Sequence, residues 1–315
     1  MITSTNEYSH TIGIASFEGR GFMNPIDVVF NNNLLYVLSR SNASNKNNRV
    51  SVLTLDSDHK FEFANWGEDS GKSILPTAIA IDKEDNFILS DEHLNRISIF
   101  DLEGNFIKHW GEFGNKPGQL NRPSGISIDS ENNILIVDHL NSRIQKFDNN
   151  GKFISSFGKY GNDESEFNYP WGIDTDKDQN IYVADWRNNR IQMFSSEGDY
   201  LSSIEKYEDK KLNKPSSVHI NSKGIIFVTN WADDSVVIYD SNHKFITKLI
   251  GDATISKWCQ EFLDVNPEQS SWRENAGLFE KEKRFWRPQN IHSNDDLVFI
   301  TDSCRHRIQI YKNLF

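Results

Sequence analysis

The sequence predicts an all-β protein in which six similar four-stranded antiparallel sheets form a ring, a six-bladed β-propeller. Two observations carry this prediction. A segment of about forty residues recurs along the chain, and the two chain ends together complete one copy of it. The clearest copy runs from Pro123 to Gly161. The other copies also open with a proline: Pro25, Pro76, Pro170, Pro215 and Pro288.

Each copy contains four short apolar runs separated by polar residues. The segments Pro123 to Asp129 and Arg143 to Phe147 alternate apolar and polar residues, which is the two-residue period of a strand. Asp148 to Lys152 (DNNGK) supplies turn residues that tolerate positive φ before the fourth run begins. A single meander of this size cannot bury both of its faces, so neighbouring copies must pack against it.

The two chain ends are expected to close the ring. Residues His10 to Gly19 (HTIGIASFEG) match the end of a repeat, because FISSFGKYG and FIKHWGEFG carry the same strand and Gly-bearing turn. The last repeat stops after its third strand, at HRIQIYKNLF. We therefore expect the N-terminal segment to supply the missing fourth strand, which leaves few exposed strand edges. The expected domain is one propeller spanning residues 1–315.

One large insertion, at about residues 252–286, separates the fifth repeat from the sixth. Asn266 followed by Pro267 is a helix-start signal. Four apolar residues ahead of it have the i, i+3, i+4, i+7 spacing of an amphipathic helix: Ile255, Trp258, Cys259 and Phe262. Connections between repeats emerge on the same side as the loops between second and third strands. The insertion is therefore predicted to be a helical lid on that face, where the first repeat has an enlarged loop, Ser39 to Asn48.

The charge and the cysteine content bear on partners and location. A formal net charge of −11 disfavours general attraction to nucleic acid or to anionic lipid surfaces. Only two cysteines are present, and the N-terminus has no basic region followed by an apolar run. We therefore expect a cytoplasmic protein without a disulfide framework. No apolar segment has the length needed to cross a bilayer.

The most conspicuous charges of the repeat are an Asp that ends the second strand and an Arg that begins the third. Their recurrence indicates architecture, since a catalytic group is needed only once. The predicted role is a charge-assisted hydrogen bond that fixes the loop. The pairs are Asp91 with Arg96, Asp138 with Arg143, Asp185 with Arg190, and Asp302 with Arg307.

The positions just after this Asp differ between repeats and are better candidates for ligand contacts. They place aromatic walls, imidazoles and guanidinium groups on one rim of the channel. His139 and His93 are candidate general bases, and Arg187 is the candidate catalytic anchor for an anionic group. The candidate ligand-binding residues are Arg40, Glu92, Trp186, Trp231, Arg305 and, from the lid, Trp258.

The repeat itself resembles a known family. Its pattern is Pro-x-Gly-Ile-x-Ile-Asp, Asn-Ile-Tyr-Val-Ala-Asp, Asn-x-Arg-Ile-Gln-x-Phe, then Phe-x-x-x-Phe-Gly, most clearly in Pro123 to Gly161 and Pro170 to Ile204. This pattern resembles the NHL repeat over nearly the whole chain apart from the insertion, and the resemblance implies a six-bladed β-propeller. It does not imply one function, because the family includes lyases, RNA-binding domains and protein-interaction modules.

The resemblance does not extend to the metal site of one enzymatic relative. The peptidylglycine amidating lyase looks similar in repeat pattern and places zinc-binding histidines after the opening proline of certain blades. The matching positions here hold no histidine: Ile26, Thr77, Ser124, Trp171, Ser216 and Gln289. His219 and His292 lie three residues further along, and two imidazoles without a third ligand make a poor zinc site.

A second group of six-bladed proteins bears on cation binding. The calcium-dependent lactonases use Glu and Asn ligands around the axis. Asp27 and Asn290, in adjoining repeats, mark the one place where a single divalent cation would fit this pattern. No cofactor is predicted.

Two functions follow as hypotheses. The first is a protein that binds a small molecule or short peptide in a lidded pocket on the face bearing the second-to-third strand loops, acting as a hydrolase or lyase if it is an enzyme. The alternative is a non-catalytic scaffold whose Trp-bearing rim holds a protein partner. Neither nucleic acid nor a membrane is an expected partner.

Overall fold

In a computed structural model of the protein, which describes residues 7–40 and 45–312, six four-stranded antiparallel sheets surround a central channel. The predicted six-bladed β-propeller is confirmed. First strands of neighbouring blades contact one another around the whole ring, so the first strand of each blade lies at the axis and the fourth at the periphery. Residues 41–44, in the predicted enlarged loop, lie outside the described residues.

The strands of the six blades have the following bounds, in order from axis to periphery. Blades 1 to 3 comprise Pro25–Asn31, Leu34–Ser39, Arg49–Thr54 and His59–Phe63; Pro76–Ile81, Phe87–Asp91, Arg96–Phe100 and Phe106–Trp110; and Pro123–Ile128, Ile134–Asp138, Arg143–Phe147 and Phe153–Phe157. Blades 4 to 6 comprise Pro170–Thr175, Ile181–Asp185, Arg190–Phe194 and Tyr200–Ile204; Pro215–Ile220, Ile226–Asn230, Ser235–Tyr239 and Phe245–Leu249; and Pro288–Ser293, Leu297–Asp302, Arg307–Lys312 and Tyr8–Ile12.

The N-terminal strand closes the ring as expected. Tyr8–Ile12 pairs antiparallel with Arg307–Lys312, with Thr11 opposite Gln309 and Ile12 opposite Ile308. The strand begins at Tyr8, two residues before the matched segment His10 to Gly19, and the expected Gly-bearing turn follows it from Gly13. Pairing of the two chain ends in one sheet leaves the third strand of blade 6 with hydrogen-bond partners on both sides.

The core lies between the blades. The described residues form six apolar clusters, each between two neighbouring sheets, and second strands such as Phe87–Asp91 are buried throughout. Aromatic side chains fill much of this space. Between blades 1 and 2, the ring centroids of Tyr36 and Phe87 are 4.3 Å apart, and those of Phe63 and Phe100 are 5.1 Å apart. Each sheet thus buries both faces, which one meander alone could not do.

The ring has two distinct faces. The loop face carries the connections between second and third strands and those between blades, because Pro123 at the start of one strand pairs with Asp138 at the end of the next. Among the described residues, four of these loops contain a short 3-10 helix: His139–Asn141, Trp186–Asn188, Trp231–Asp233 and Ser303–Arg305. The opposite face, the turn face, carries tight turns rich in Asp and Asn. In one of them Asp129 Oδ1 accepts hydrogen bonds from the backbone amides of Glu131 and Asn133, both at 2.8 Å.

Three of the four predicted Asp–Arg pairs form and fix the loops. In blade 3 the fully buried Asp138 accepts hydrogen bonds from Arg143 Nε at 2.8 Å and from the Asn121 amide at 2.7 Å. The Arg143 guanidinium in turn donates to carbonyl groups of the preceding connection. The equivalent Nε–Oδ2 distances in blades 4 and 6 are 2.9 and 2.7 Å, for Asp185–Arg190 and Asp302–Arg307.

Blade 2 departs from this pattern, so the predicted pair there is wrong. Asp91 accepts hydrogen bonds from the backbone amides of Ile74 at 2.6 Å and His93 at 2.9 Å. Arg96 donates its terminal nitrogens only to backbone carbonyls, including that of Lys72 at 2.8 Å. The carboxylate is satisfied by amides, so the loop is held without the ion pair.

The insertion folds into three helices, α1 at Lys257–Val265, α2 at Pro267–Ala276 and α3 at Phe279–Lys283. Helix α1 starts at Ser256, whose Oγ accepts a hydrogen bond from the Cys259 amide at 3.1 Å. Helix α2 starts at the predicted Asn-Pro signal. Among the described residues no helix combines the length and the apolar character that a membrane crossing requires.

The helices lie against the outer edge of blade 6, so the predicted lid over the channel is wrong. The Thr254 amide donates to Tyr8 Oη on the outermost strand at 2.9 Å, and Ser256 Oγ donates to the Gly13 carbonyl. Lys257 Nζ reaches the Asp56 carbonyl of blade 1, on the turn face, at 3.1 Å. The insertion therefore crosses the side of the ring and covers a strand edge, which is a common way to protect such edges.

Trp258 shows which surface the apolar face of α1 covers. Its side chain is 4% exposed and packs in the core cluster between blades 6 and 1, next to Phe22 and Ile12. Its Nε1 donates to the Ser57 carbonyl at 2.9 Å. Trp258 is therefore not a ligand-binding residue of the rim, because the apolar face of the helix is used to seal the junction between two blades.

Candidate functional site

The rim of the loop face is built from residues that directly follow the second strands. In blades 1 and 2 these are Arg40 and Glu92, which form an ion pair with 2.6 Å between Nη2 and Oε1. Their side chains are 22% and 10% exposed, so the pair is largely shielded from solvent. The two predicted ligand-binding residues therefore satisfy each other across the boundary between two blades.

His139 holds the corresponding position in blade 3 and is nearly buried. Its Nδ1 lies 2.9 Å from the Pro170 carbonyl, which can only accept, so Nδ1 carries the proton and Nε2 keeps its lone pair. The ring packs edge-on against Tyr169 and Trp171, with centroids 5.2 and 5.0 Å away. Burial lowers the pKa of His139, and the charges of Arg122 and Arg40 act in the same direction. The imidazole is therefore neutral near pH 7.

A repeating arrangement of cations over aromatic rings follows along blades 4, 5 and 6. We call it the cation–aromatic arc, and it comprises four pairs with the cation 4.2 to 5.4 Å from the ring centroid: Arg187 over Tyr169, Lys214 over Trp186, Arg287 over Trp231, and Arg305 over Trp286. The rings of Trp186 and Trp231 also contact each other, with centroids 5.9 Å apart. The arc joins neighbouring blades into one continuous surface.

The cations of the arc form no ion pair with any acidic side chain among the residues that the structure describes. Within the described part of the chain, none of these four side chains lies within 4.0 Å of a carboxylate oxygen. At its blade 6 end the arc borders a groove of about 730 Å³ lined by Asp233, Leu278, Trp286 and Arg305. Part of the insertion thus approaches the loop face at this groove. The arc presents positive charge and aromatic faces together, which suits an anionic ligand with an apolar or planar part.

The structure separates the predicted site residues into groups. Trp186, Arg187, Trp231 and Arg305 belong to the arc, and Arg187 and His139 both contact Tyr169. His93 is exposed, and among the described residues no hydrogen bond or ring contact joins it to His139.

Four members of the arc were missed by sequence reasoning: Tyr169, Lys214, Trp286 and Arg287. Three of them directly precede the opening proline of a repeat, in the left-handed conformation with φ between 52° and 56°. The sequence does carry a signal for these three residues, and it is the same as for the loop residues: a position that differs from one repeat to the next. Residues before the proline vary between repeats, and the ring brings them to the rim.

The channel itself contains a second polar region. Its cavity, of about 230 Å³, is lined by first strands of all six blades and, among the described residues, by none from the insertion. Asp27 and Asn290 meet here, with Asn290 Nδ2 donating to Asp27 Oδ1 at 2.6 Å. Asn290 Oδ1 accepts from Ser217 Oγ at 2.5 Å and from the Ile291 amide at 2.7 Å. The oxygen atoms that a cation would need are therefore engaged by protein donors.

The environment of Asp27 makes its carboxyl harder to ionise than an exposed one. Burial raises the pKa of this carboxyl to about 7, although hydrogen bonds from the Ile79 and Val28 amides lower it. In the described residues no group of three or more His, Cys, Asp or Glu side chains could hold a metal ion. The two cysteines, Cys259 and Cys304, are free, and burial raises the pKa of both thiols.

A chain of hydrogen-bonded side chains lies at the turn-face end of the channel and includes His219, which the sequence pattern alone does not connect to any partner. Asp174 Oδ2 is 2.9 Å from His219 Nδ1, and His219 Nε2 is 2.8 Å from Ser293 Oγ. His292 packs beside His219 with ring centroids 5.6 Å apart. Burial and the neighbouring His219 lower the pKa of His292 to about 3. His292 is therefore a neutral packing neighbour of His219.

The fold defines the protein as a six-bladed β-propeller, and its repeats are similar to the NHL repeat. The family model described as NHL repeat matches residues 167–194, and a second model, described as 6-bladed beta-propeller, matches residues 76–157. The resemblance seen in the sequence is thus confirmed. The search of curated proteins found no match to the sequence.

Solved structures share the fold at low identity. Virginiamycin B lyase from Staphylococcus aureus, in a catalytically inactive form with quinupristin, aligns with a TM-score of 0.62 and 13% identity, over 96% of this chain and 98% of that chain. A Bacteroides thetaiotaomicron protein of unknown function aligns with a TM-score of 0.64 and 12% identity, over 98% of this chain and 73% of that chain. A chain of the nidogen/laminin complex aligns with a TM-score of 0.56 and 16% identity, over 74% of this chain and 82% of that chain. At these identities the likeness shows the fold alone.

Proposed function

We propose that the protein binds an anionic aromatic small molecule or a short acidic peptide on the cation–aromatic arc of its loop face. One observation supports this proposal above the others: four successive cations lie over aromatic rings without a carboxylate partner among the described residues. Unpaired guanidinium groups recognise carboxylates by bidentate hydrogen bonds, and the indole faces bind apolar or planar groups.

Local charge separates this surface from the rest of the molecule. The chain carries a net charge of −11, yet the arc brings together Arg187, Lys214, Arg287 and Arg305. Acidic residues crowd the first-to-second strand turns of the opposite face: Asp82, Glu84, Asp85, Asp129, Glu131, Asp176, Asp178, Asp295 and Asp296. An anionic ligand is therefore attracted to the arc and repelled from these turns.

The test is a binding panel measured by isothermal titration calorimetry. It comprises an aromatic dicarboxylate, a peptide of alternating Glu and Phe, the same peptide with Lys in place of Glu, and a single-stranded oligonucleotide. We expect the two carboxylate ligands to bind, with affinity that falls as salt is raised, and the Lys peptide not to bind. The oligonucleotide arm tests the expectation that nucleic acid is not a partner.

Arg287→Ala supplies the matched variant. Loss of one charge-assisted hydrogen bond costs about 1.5–3 kcal/mol, which weakens the Kd about 10- to 150-fold. Lys223→Ala removes the same charge from an exposed position on the turn face and is expected to leave the Kd unchanged. Equal affinity of wild type and Arg287→Ala, or binding of the Lys peptide, contradicts the proposal.

A hydrolase or lyase activity, the enzymatic form of this proposal, assigns the base to His139. Its Nδ1 is fixed on the Pro170 carbonyl, and the ring shares Tyr169 with Arg187, the proposed anchor. A neutral imidazole with a free Nε2 lone pair can accept a proton from a bound substrate. His139→Gln is expected to abolish turnover while the Kd stays within about twofold, which corresponds to roughly 0.4 kcal/mol. Loss of binding together with turnover shows a structural role instead.

A second candidate function, a scaffold for a protein partner, is favoured by the outer surface of the insertion. Val265 and Trp272 are 77% and 62% exposed, and Phe262 and Leu278 are also exposed. Exposed apolar groups of this kind often mark contact surfaces. Cross-linking in whole cells, with a photoreactive residue in place of Trp272, tests this function. Absence of any cross-linked protein contradicts it.

A further inference from the structure

The first strands of blades 4, 5 and 6 each contribute one side chain to a hydrogen-bonded relay. Asp174 Oδ2 lies 2.9 Å from His219 Nδ1, and Ser293 Oγ lies 2.8 Å from His219 Nε2. A carboxylate, an imidazole and a hydroxyl in this order form the connectivity of a nucleophilic triad, which is recognised by geometry and not by position in the sequence.

The surrounding backbone fixes the protonation state of the imidazole. The Ser293 amide donates a hydrogen bond to His219 Nε2 at 3.1 Å. An amide N–H can only donate, so Nε2 is unprotonated and the imidazole proton lies on Nδ1, facing Asp174. Asp174 is held in turn by the amides of Ile220 and Thr175, both at 2.9 Å. This is the tautomer in which Nε2 can accept the proton of a serine hydroxyl.

We propose that Ser293 is a nucleophile, activated by His219 and oriented by Asp174, that hydrolyses small neutral or cationic esters at the turn-face end of the channel. The side chains of His219 and Asp174 are 14% and 23% exposed, so the relay is shielded but reachable. The adjoining cavity of about 230 Å³ accommodates only a small acyl group. The acidic turns around this mouth, among them Asp176 and Asp295, disfavour anionic substrates.

Ester hydrolysis by this relay needs no reagent other than water. Ser293 Oγ attacks the ester carbonyl carbon, and its proton moves to His219 Nε2 while Nδ1–H stays bonded to Asp174. The bond from that carbon to the leaving oxygen then breaks, and the leaving alkoxide takes the proton from Nε2. Water attacks the acyl-serine ester, gives a proton to Nε2, and the acid departs as Ser293 Oγ is reprotonated.

The experiment is active-site labelling of the full chain with a fluorophosphonate probe, followed by peptide mass spectrometry. The expected result is one labelled residue, Ser293, and loss of the label in both Ser293→Ala and His219→Gln. Asp174→Asn is expected to slow labelling at least tenfold, since the amide no longer holds the required tautomer. Ser222→Ala, at an exposed serine of a neighbouring turn, serves as the control that keeps full labelling.

A second variant removes the dependence on the probe. In Ser293→Cys the thiol is expected to react with iodoacetamide at a pH well below the ordinary thiol pKa of about 8.5. Adding His219→Gln is expected to restore the ordinary pH dependence. Labelling at another residue, absence of label in the folded wild type, or an ordinary pH profile for Ser293→Cys overturns the proposal. Ligand binding on the loop face is unaffected by any of these outcomes.

Discussion

Replacement of Trp258 by Ala distinguishes a structural insertion from a lid. The side chain is 4% exposed, packs against Phe22 with ring centroids 5.8 Å apart, and donates to the Ser57 carbonyl at 2.9 Å. Truncation of a buried Trp costs about 3–5 kcal/mol. The carbonyl left without a partner adds to this cost unless water reaches it.

The cost converts into a change of melting temperature. An unfolding entropy of about 2.1 cal/mol/K per residue gives roughly 0.7 kcal/mol/K for a chain of 315 residues. Trp258→Ala is therefore expected to lower the Tm by about 4–7 °C. Differential scanning calorimetry measures this shift, and binding of the Glu-Phe peptide to the loop face is expected to be unchanged at 25 °C.

The matched control is Trp272→Ala in the same insertion. Trp272 is 62% exposed, so its loss is expected to change stability by no more than about 0.5 kcal/mol, or less than about 1 °C in Tm. A Tm for Trp258→Ala within about 1 °C of wild type, together with weaker ligand binding, contradicts the structural role and restores a lid.

Three further predictions concern the ring and its buried polar groups. Deleting residues 1–13 removes the strand Tyr8–Ile12 and exposes the edge of Arg307–Lys312, so light scattering is expected to detect aggregation; a stable monomer contradicts closure by this strand. Asp185→Asn leaves Arg190 without its ion pair and is expected to cost about 3–5 kcal/mol in urea unfolding. The double variant Asp185→Asn with Arg190→Ser copies Asn230 and Ser235 of blade 5 and is expected to recover part of this lost stability. If no stability is recovered, Asp185 and Arg190 are not energetically coupled. His292 has a pKa lowered to about 3, so its neutral form stabilises the fold above the unfolded pKa of about 6.5. That stability is lost as pH falls from about 6.5 towards 3, by up to about 1.4 kcal/mol per pH unit, and His292→Phe is expected to remove this part of the slope. If wild type and His292→Phe show the same slope of unfolding free energy against pH, His292 does not contribute to the pH dependence.

The repeat could be predicted from the sequence because every level of the chain agrees on it. Apolar alternation, turn residues and opening prolines coincide in the copy from Pro123 to Gly161, and a four-stranded sheet must find neighbours on both faces. Even the ring closure follows from local patterns, since the N-terminal run matches the strand that the last repeat lacks. The positions Arg187, Trp186 and Trp231 were found for the same reason, because they stand at equivalent sites in successive repeats.

The insertion was not predictable in the same way. The stripe that includes Trp258 shows that a helix has an apolar face, but not which surface that face covers. Trp258 covers the junction between the outermost strand of blade 6 and the turn of blade 1 that contains Ser57. This junction forms only when the two ends of the chain close the ring. Likewise, the relay joins Asp174, His219 and Ser293 from three blades, and nothing in a single repeat indicates that their side chains meet.

The most direct test of the central claim, a ligand on the cation–aromatic arc, is hydrogen exchange measured with and without the Glu-Phe peptide. Binding on the arc predicts slower exchange in the loops Trp186–Asn188 and Trp231–Asp233 and in the connection around Arg287, with no change in the turns that contain Asp82 and Asp129. Protection confined to the turn face, or to the outer surface of the helices, contradicts it.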